Sequence, residues 1–129
     1  MRYLLDTHVF LWWIQGDDRL PAPVRELIAT GGNRIHVSAA SGWEIAVKAG
    51  LGRIRLPDAA ARFLPEQLRL NHFAALPIQM AHALALERLP RHHRDPFDRM
   101  LVVQAQLEEM PLISRDPLLH GYELEVIWA

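Results

Sequence analysis

The chain contains no cysteine among its 129 residues, which excludes disulfides and any thiolate-bound zinc. A metal site would have to be built from carboxylates, histidines and backbone oxygens. Long hydrophobic runs are also missing. The apolar stretch "VFLWWI" is far too short to cross a bilayer, and Asp6 and His8 interrupt the only N-terminal apolar candidate. A membrane association and a signal peptide are therefore not expected, and a cytoplasmic protein is the simplest reading. Excess charge of either sign is lacking too: the formal net charge is −1, so the whole-molecule field gives no attraction towards nucleic acid.

What is present is ordinary globular composition. Half of the residues are hydrophobic and 22% are charged, enough to bury one sizeable core. The length predicts a single domain over residues 1–129. No repeat, low-complexity tract or linker interrupts it.

Strand-like and helix-like segments alternate. "RYLLD", "RIHVSA", "FAALPI", "PLIS" and "ELEVIW" read as short strands. "HVFLWWIQG", "PAPVRELIATGG", "SGWEIAVKAGLG", "QMAHALALERLP" and "DPFDRMLVVQAQLEEM" read as helices, and "LPDAAARFLPEQLRLN" as a helix broken at its proline. Such alternation predicts an α/β fold with a mostly parallel sheet covered on both faces. Ligands of open sheets of this kind bind outside the carboxyl ends of the strands.

Four acids fall at that edge: Asp6 after the first strand, Glu44 after "RIHVSA", Asp98 in the helix feeding "PLIS", and Asp116 after "PLIS". Each has a purely structural explanation. Asp95-Pro96 is a helix start, with Asp98 favoured by the dipole. "SGWE" fits a capping box with Ser41 as cap, and Glu44 can pair with Lys48. Asp6 can cap the first helix, and Asp116 can cap a turn at Pro117. Capping does not explain why four acids gather. Asp98 shares a helical face with Leu101, Val102 and Ala105, whereas Asp95 has Arg99 four residues on. Asp95 is therefore the expected cap and Arg99's partner, and Asp98 the inward-facing acid. Gathered carboxylates repel unless a cation is present, and Mg²⁺ or Mn²⁺ suits oxygen ligands without cysteine. Such sites act on phosphate esters. Arg88, Arg91, Arg94 and Arg99 lie close together in the sequence around Asp98 and are suited to a polyanionic strand.

The ordered set "LLDTH", "SAASGWEIAVKAGLGRI", "HHRDPFDRMLVVQA" and "LISRD" resembles the PIN-domain ribonucleases, and specifically the VapC-type toxins of bacterial toxin–antitoxin pairs, over essentially the whole chain. The resemblance implies a PIN-like three-layer α/β/α domain with a five-stranded parallel sheet in the order 3-2-1-4-5. It implies an acidic quartet of Asp6, Glu44, Asp98 and Asp116 that binds Mg²⁺ or Mn²⁺ and hydrolyses RNA through a metal-activated water. Ser114 takes the place of the family's hydroxyl residue, and Thr7 is a further hydroxyl candidate. A VapB-like antitoxin and a homodimer are the implied partners.

Arg94, Arg99 and Arg115 are candidates for contacts to the RNA backbone. A zinc site on His92 and His93 is disfavoured, because adjacent side chains diverge. His8 and His36 are placed at the site edge or read as structural. Trp43 is read as core, and one of Trp12 and Trp13 as exposed to a partner. The alternative function is a PIN-like module that binds RNA or a protein without turnover.

Overall fold

The computed structural model describes residues 1–129, in which five strands form one sheet in the order β3-β2-β1-β4-β5. In chain order the elements are β1 (Arg2–Leu5), α1 (Thr7–Gln15), α2 (Ala22–Ala29), β2 (Arg34–Ser38), α3 (Ala39–Gly50), α4 (Ala60–Asn71), β3 (Ala74–Leu76), α5 (Met80–Ala85), α6 (Pro96–Leu107), β4 (Leu112–Ser114) and β5 (Val126–Trp128). Short 3-10 turns follow α5 at Leu86–Arg88 and β4 at Pro117–Leu119. All four strand pairings are parallel. The expected α/β architecture and strand order are both present.

Alternation along the strands divides the core between the two faces. Tyr3 and Leu5 of β1, Ile35 and Val37 of β2, and Ile113 of β4 pack with Val9 and Phe10 of α1, Val24 and Ile28 of α2, and Ile45 of α3. Leu4 and Leu112 point the other way, onto Leu101, Val102 and Ala105 of α6. Leu4, Leu5, Leu112 and Ile113 are at most 1% exposed, so the central strands are apolar on both faces, as a covered parallel sheet requires. No helix is long and apolar enough to cross a membrane.

Several local expectations are corrected. Helix α3 begins at Ala39 with Ser38 as its cap, so Ser41 and Glu44 form no capping box. Ser38 ends β2 in extended conformation and its hydroxyl is already aimed at the Ala40 amide, which starts the helix three residues early. Pro65 lies inside α4 without breaking it. The bond lost there is one, in the second turn of an exposed helix.

Trp43 is 54% exposed, not core, with its ring against Phe97. Trp12 is buried, and Trp13 is partly buried against the same cluster. Its indole N–H donates to Asn71 and its ring packs on Phe73, so neither of the paired tryptophans is left free. Asp95 does not pair with Arg99. That guanidinium instead donates to the carbonyls of Leu86, Leu89, Pro90 and His93, which the 3-10 turn and the irregular segment before α6 turn towards it.

Ile113 lies at the centre of the sheet with no solvent exposure. Truncation to alanine is expected to cost about 2–5 kcal/mol of unfolding free energy, read as a lower urea midpoint with an unchanged slope.

Candidate metal centre

Parallel order with β1 flanked by β2 and β4 puts the reversal of strand progression between β1 and β4, and a crevice opens at such a switch point. Leu4 pairs with Leu112 and Leu5 with Ile113, so Asp6 and Ser114 stand level one residue beyond. The Ser114 hydroxyl donates to Asp6 Oδ2 and accepts the Asp116 amide N–H at 3.1 Å. One hydroxyl thus ties together the ends of both strands.

The capping explanations and the site explanations turn out to be compatible. Asp6 caps α1 through Oδ1, which accepts from the Val9 amide at 2.8 Å, while Oδ2 is the atom that meets Ser114. Asp116 caps the Pro117–Leu119 turn through Oδ1 and turns Oδ2 towards the crevice. Asp95 commits Oδ1 to the amides of Phe97 and Asp98. Asp98, in the first turn of α6, caps nothing. Its Oδ2 lies 3.2 Å from His93 Nε2.

A cavity of about 330 Å³ is lined by Asp6, His8, Trp12, Asp98, Arg115, Asp116 and Pro117. Three members of the predicted quartet therefore share one wall. Glu44 does not line it. It is 4% exposed on α3, with Oε2 held at 2.5 Å by Lys48 Nζ, the predicted i,i+4 pair. Its other oxygen, Oε1, is buried and accepts from nothing. Thr7 is also turned away: its hydroxyl donates to Ser41 and joins α1 to α3. Arg115 reaches the carbonyls of Arg19 and Ala129 and lies over the Trp12 ring at 4.8 Å.

His8 lines the cavity, one of the two placements the sequence leaves open for it. His36 is buried within β2, and burial lowers its pKa. It lies outside the cavity lining.

His93 was not predicted to belong here. Its Nε2 lies 2.6 Å from Asp116 Oδ2, and one ligating atom each from His93, Asp98 and Asp116 fall within 4.8 Å of one another. His92, by contrast, packs on Tyr122. The two rings diverge, and the divergence is what sends one of them to the acids. Nothing in the spacing of "HHRDPFD" selects which, because the segment before the cap is neither helix nor strand.

The electrostatics of the cluster favour a bound cation. Burial raises the pKa of Asp98 to about 7, with Asp95, Glu44 and Asp6 adding to the rise and His93 opposing it. Burial also raises Asp6, against the hydrogen bonds from Ser114 and Val9. Repelling carboxylates and an orphaned Glu44 oxygen are what a hard divalent cation would relieve. The oxygen-rich donor set fits Mg²⁺ or Mn²⁺.

The pattern of the PIN domain family matches residues 3–122. The chain belongs to that family. A stretch of 58 residues is 34% identical to ribonuclease VapC16 of Mycobacterium tuberculosis (strain ATCC 25618 / H37Rv), covering 45% of this chain and 41% of that protein's length. Among solved structures, VapBC2 from Rickettsia felis bound to a promoter DNA fragment aligns with a TM-score of 0.74 at 16% identity over 98% of each chain. FitAcB from Neisseria gonorrhoeae aligns at 0.68 and 19% identity, over 97% of this chain and 96% of that one. At such identities these likenesses concern the fold.

A raised pKa on Asp98 means that the folded protein holds this proton more tightly than the unfolded chain. Stability from this group is therefore lost as pH rises from the ordinary carboxylate range through about 7. Without divalent metal, Asp98→Asn should melt above the wild type at pH 8, by roughly 1–2 kcal/mol. At pH 4 the two should converge. Thermal melts of both proteins across pH would show it; a difference independent of pH would mean that Asp98 is not so placed.

Proposed function

We propose that this protein is a Mg²⁺- or Mn²⁺-dependent endoribonuclease, a single PIN domain over residues 1–129, acting as the toxin of a toxin–antitoxin pair. The observation that carries the reading is the junction of acids at the β1–β4 switch point. Asp6, Asp98 and Asp116 border one cavity, with Asp98 repelled by its neighbours and a Glu44 oxygen left unpartnered behind them. RNA as substrate is supported by the ribonuclease named among the relatives.

Asp6, Asp98 and Asp116 would hold the cation. Glu44, half neutralised by Lys48, would serve through water or by orienting the attacking group. A bound divalent ion supplies neutralisation of the phosphate and acidification of a water. Ser114 keeps Asp6 and Asp116 at fixed separation, so the ligand set needs little reorganisation on binding. Trp12 and Pro117 close the cavity's apolar side.

A second cavity has a volume of about 550 Å³. Arg91, Arg94 and Arg99 line it, together with His93, which also meets the acids. Arg91 and Arg94 form no ion pair, whereas Arg99 is committed to backbone carbonyls and is better placed to shape the pocket than to grip a strand. Arg91 and Arg94 are therefore the proposed RNA-backbone contacts, while Arg115, like Arg99, is committed to backbone carbonyls.

A VapB-like antitoxin and a second copy of the chain are the proposed partners, by analogy with the complexes among the structural relatives. Exposed apolar side chains support this. Trp43, Val47 and Leu51 recur at four-residue spacing along and just past α3, and Met80 and Leu84 do so on α5. A cytoplasmic location follows from this role.

The test is RNA cleavage with Mg²⁺, Mn²⁺ or EDTA by the wild type and by identically purified Asp6→Asn and Asp98→Asn. The expected result is metal-dependent cleavage by the wild type alone, with both variants reduced by roughly 100-fold or more. Products should end in 5′-phosphate and 3′-hydroxyl; a 2′,3′-cyclic phosphate would refute a hydrolytic route. RNA binding without cleavage under every metal condition would favour a silent binding module instead.

The basic cavity makes a separate prediction. In an Asp98→Asn background, Arg91→Ala with Arg94→Ala should lower the slope of log affinity against log salt by about 1.4, as two lost contacts to a single strand would. An unchanged slope would place the strand elsewhere.

A further inference from the structure

We infer that His93 is a positioning residue for the metal centre: its Nε2–H donates to the Asp116 carboxylate, with Asp98 Oδ2 3.2 Å from the same nitrogen, and holds the acids facing a divalent cation without itself ligating it. The inference rests on the metal-dependent reading above. It concerns a residue whose type and position would otherwise suggest a ligand, since imidazole is a common one and its nitrogen lies within 4.8 Å of both carboxylate oxygens.

The hydrogen bonds decide between donor and ligand. His93 Nδ1 accepts the Asp95 amide N–H at 3.1 Å. An accepting Nδ1 carries no proton, so the ring proton sits on Nε2. A separation of 2.6 Å between Nε2 and Asp116 Oδ2 is then a hydrogen bond, whereas two facing lone pairs at that distance would repel. To ligate through Nε2 the ring would need the opposite tautomer, which sets an Nδ1–H against the Asp95 N–H. Asp95 is bound in place by its capping role, so that amide cannot readily turn away.

The ring is also held from behind. The His93 amide donates to the Tyr122 hydroxyl at 2.8 Å, and that hydroxyl donates to the Pro90 carbonyl at 2.9 Å. Arg99 donates to the His93 carbonyl. Donors of this kind orient metal ligands and fix their free lone pairs. A ring fixed through its backbone amide, its carbonyl and Nδ1 leaves Nε2–H as the one group it can offer the site.

The experiment is calorimetric titration of Mg²⁺ and of Mn²⁺ into RNA-free wild type, His93→Gln and His93→Ala, with metal-free melts to verify folding. Glutamine can place an amide N–H near the Nε2 position. A positioning donor predicts that His93→Gln stays within about threefold of wild type and that His93→Ala weakens both metals together by roughly 10–100-fold. A ligand predicts that glutamine fails like alanine and that the preference for Mn²⁺ over Mg²⁺ falls, imidazole favouring the softer ion. Unchanged affinity in His93→Ala would also overturn the proposal.

The wild type gives a second readout that no folding defect can disturb. Imidazole ¹⁵N resonances should report a protonated Nε2 both before and after Mg²⁺ addition; loss of that proton on metal binding would make His93 a ligand. If the wild type binds neither metal, the metal-dependent reading itself falls, and this proposal with it.

Discussion

The pairing of β1 with β4 is the contact on which the site depends. Their register sets Asp6 level with Ser114, and the Ser114 hydroxyl then satisfies Asp6 while receiving the amide of Asp116. Two acids far apart in the chain are thereby fixed at one point, where the strand order reverses and the helices on either side diverge. Ile113 and Leu5 below them are fully buried, so a slip in register would both expose the core and separate the acids. Core packing and site geometry are one constraint here.

Around that junction the same side chains serve folding and chemistry with different atoms. Asp6 and Asp116 each give one oxygen to a cap, which fixes the carboxylate's rotation and leaves the second oxygen oriented. Asp95 caps α6 and also presents an amide to His93. Such double use is possible because a capping bond is local and directional, and it immobilises a side chain without covering it. Asp98 caps nothing, and its carboxyl pKa is raised by burial first and by three neighbouring acids besides.

Charge is sorted locally rather than in the sum. His93 lines the pocket of Arg91 and Arg94 and also meets Asp98 and Asp116 of the acidic cavity, while the net charge stays near zero. Under the proposed function, a polyanion approaching this edge would meet arginines beside a cluster of acids, a pattern suited to phosphates at one point rather than to general adhesion.

Much of the fold was legible in the sequence, because period-two and period-3.6 patterns report directly on which residues must leave water. All five strands, the helix after each motif and the four acids could be read in this way, the sheet order coming with the family resemblance. Capping at Asp95 and the Glu44–Lys48 pair were legible too, since both act over a few residues. The position of α3's first turn was not: Ser38 and Ser41 offer equivalent hydroxyls, and only the point where β2 leaves the sheet chooses between them. The exposure of Trp43, the diversion of Arg99 to four carbonyls and the turn of Thr7 towards Ser41 were decided by neighbours remote in sequence. His93 is the sharpest case. Its residue type was visible, but whether its ring faced solvent, core or acids depended on Tyr122 and Asp116 arriving from the far side of β4. Sequence by itself determined the elements and the chemical types available, because those follow from local periodicity and composition. Tertiary structure alone decided which polar atoms meet, because a hydrogen bond needs its partner within about 3 Å, and the distance between residues 93 and 116 is set by the folded sheet.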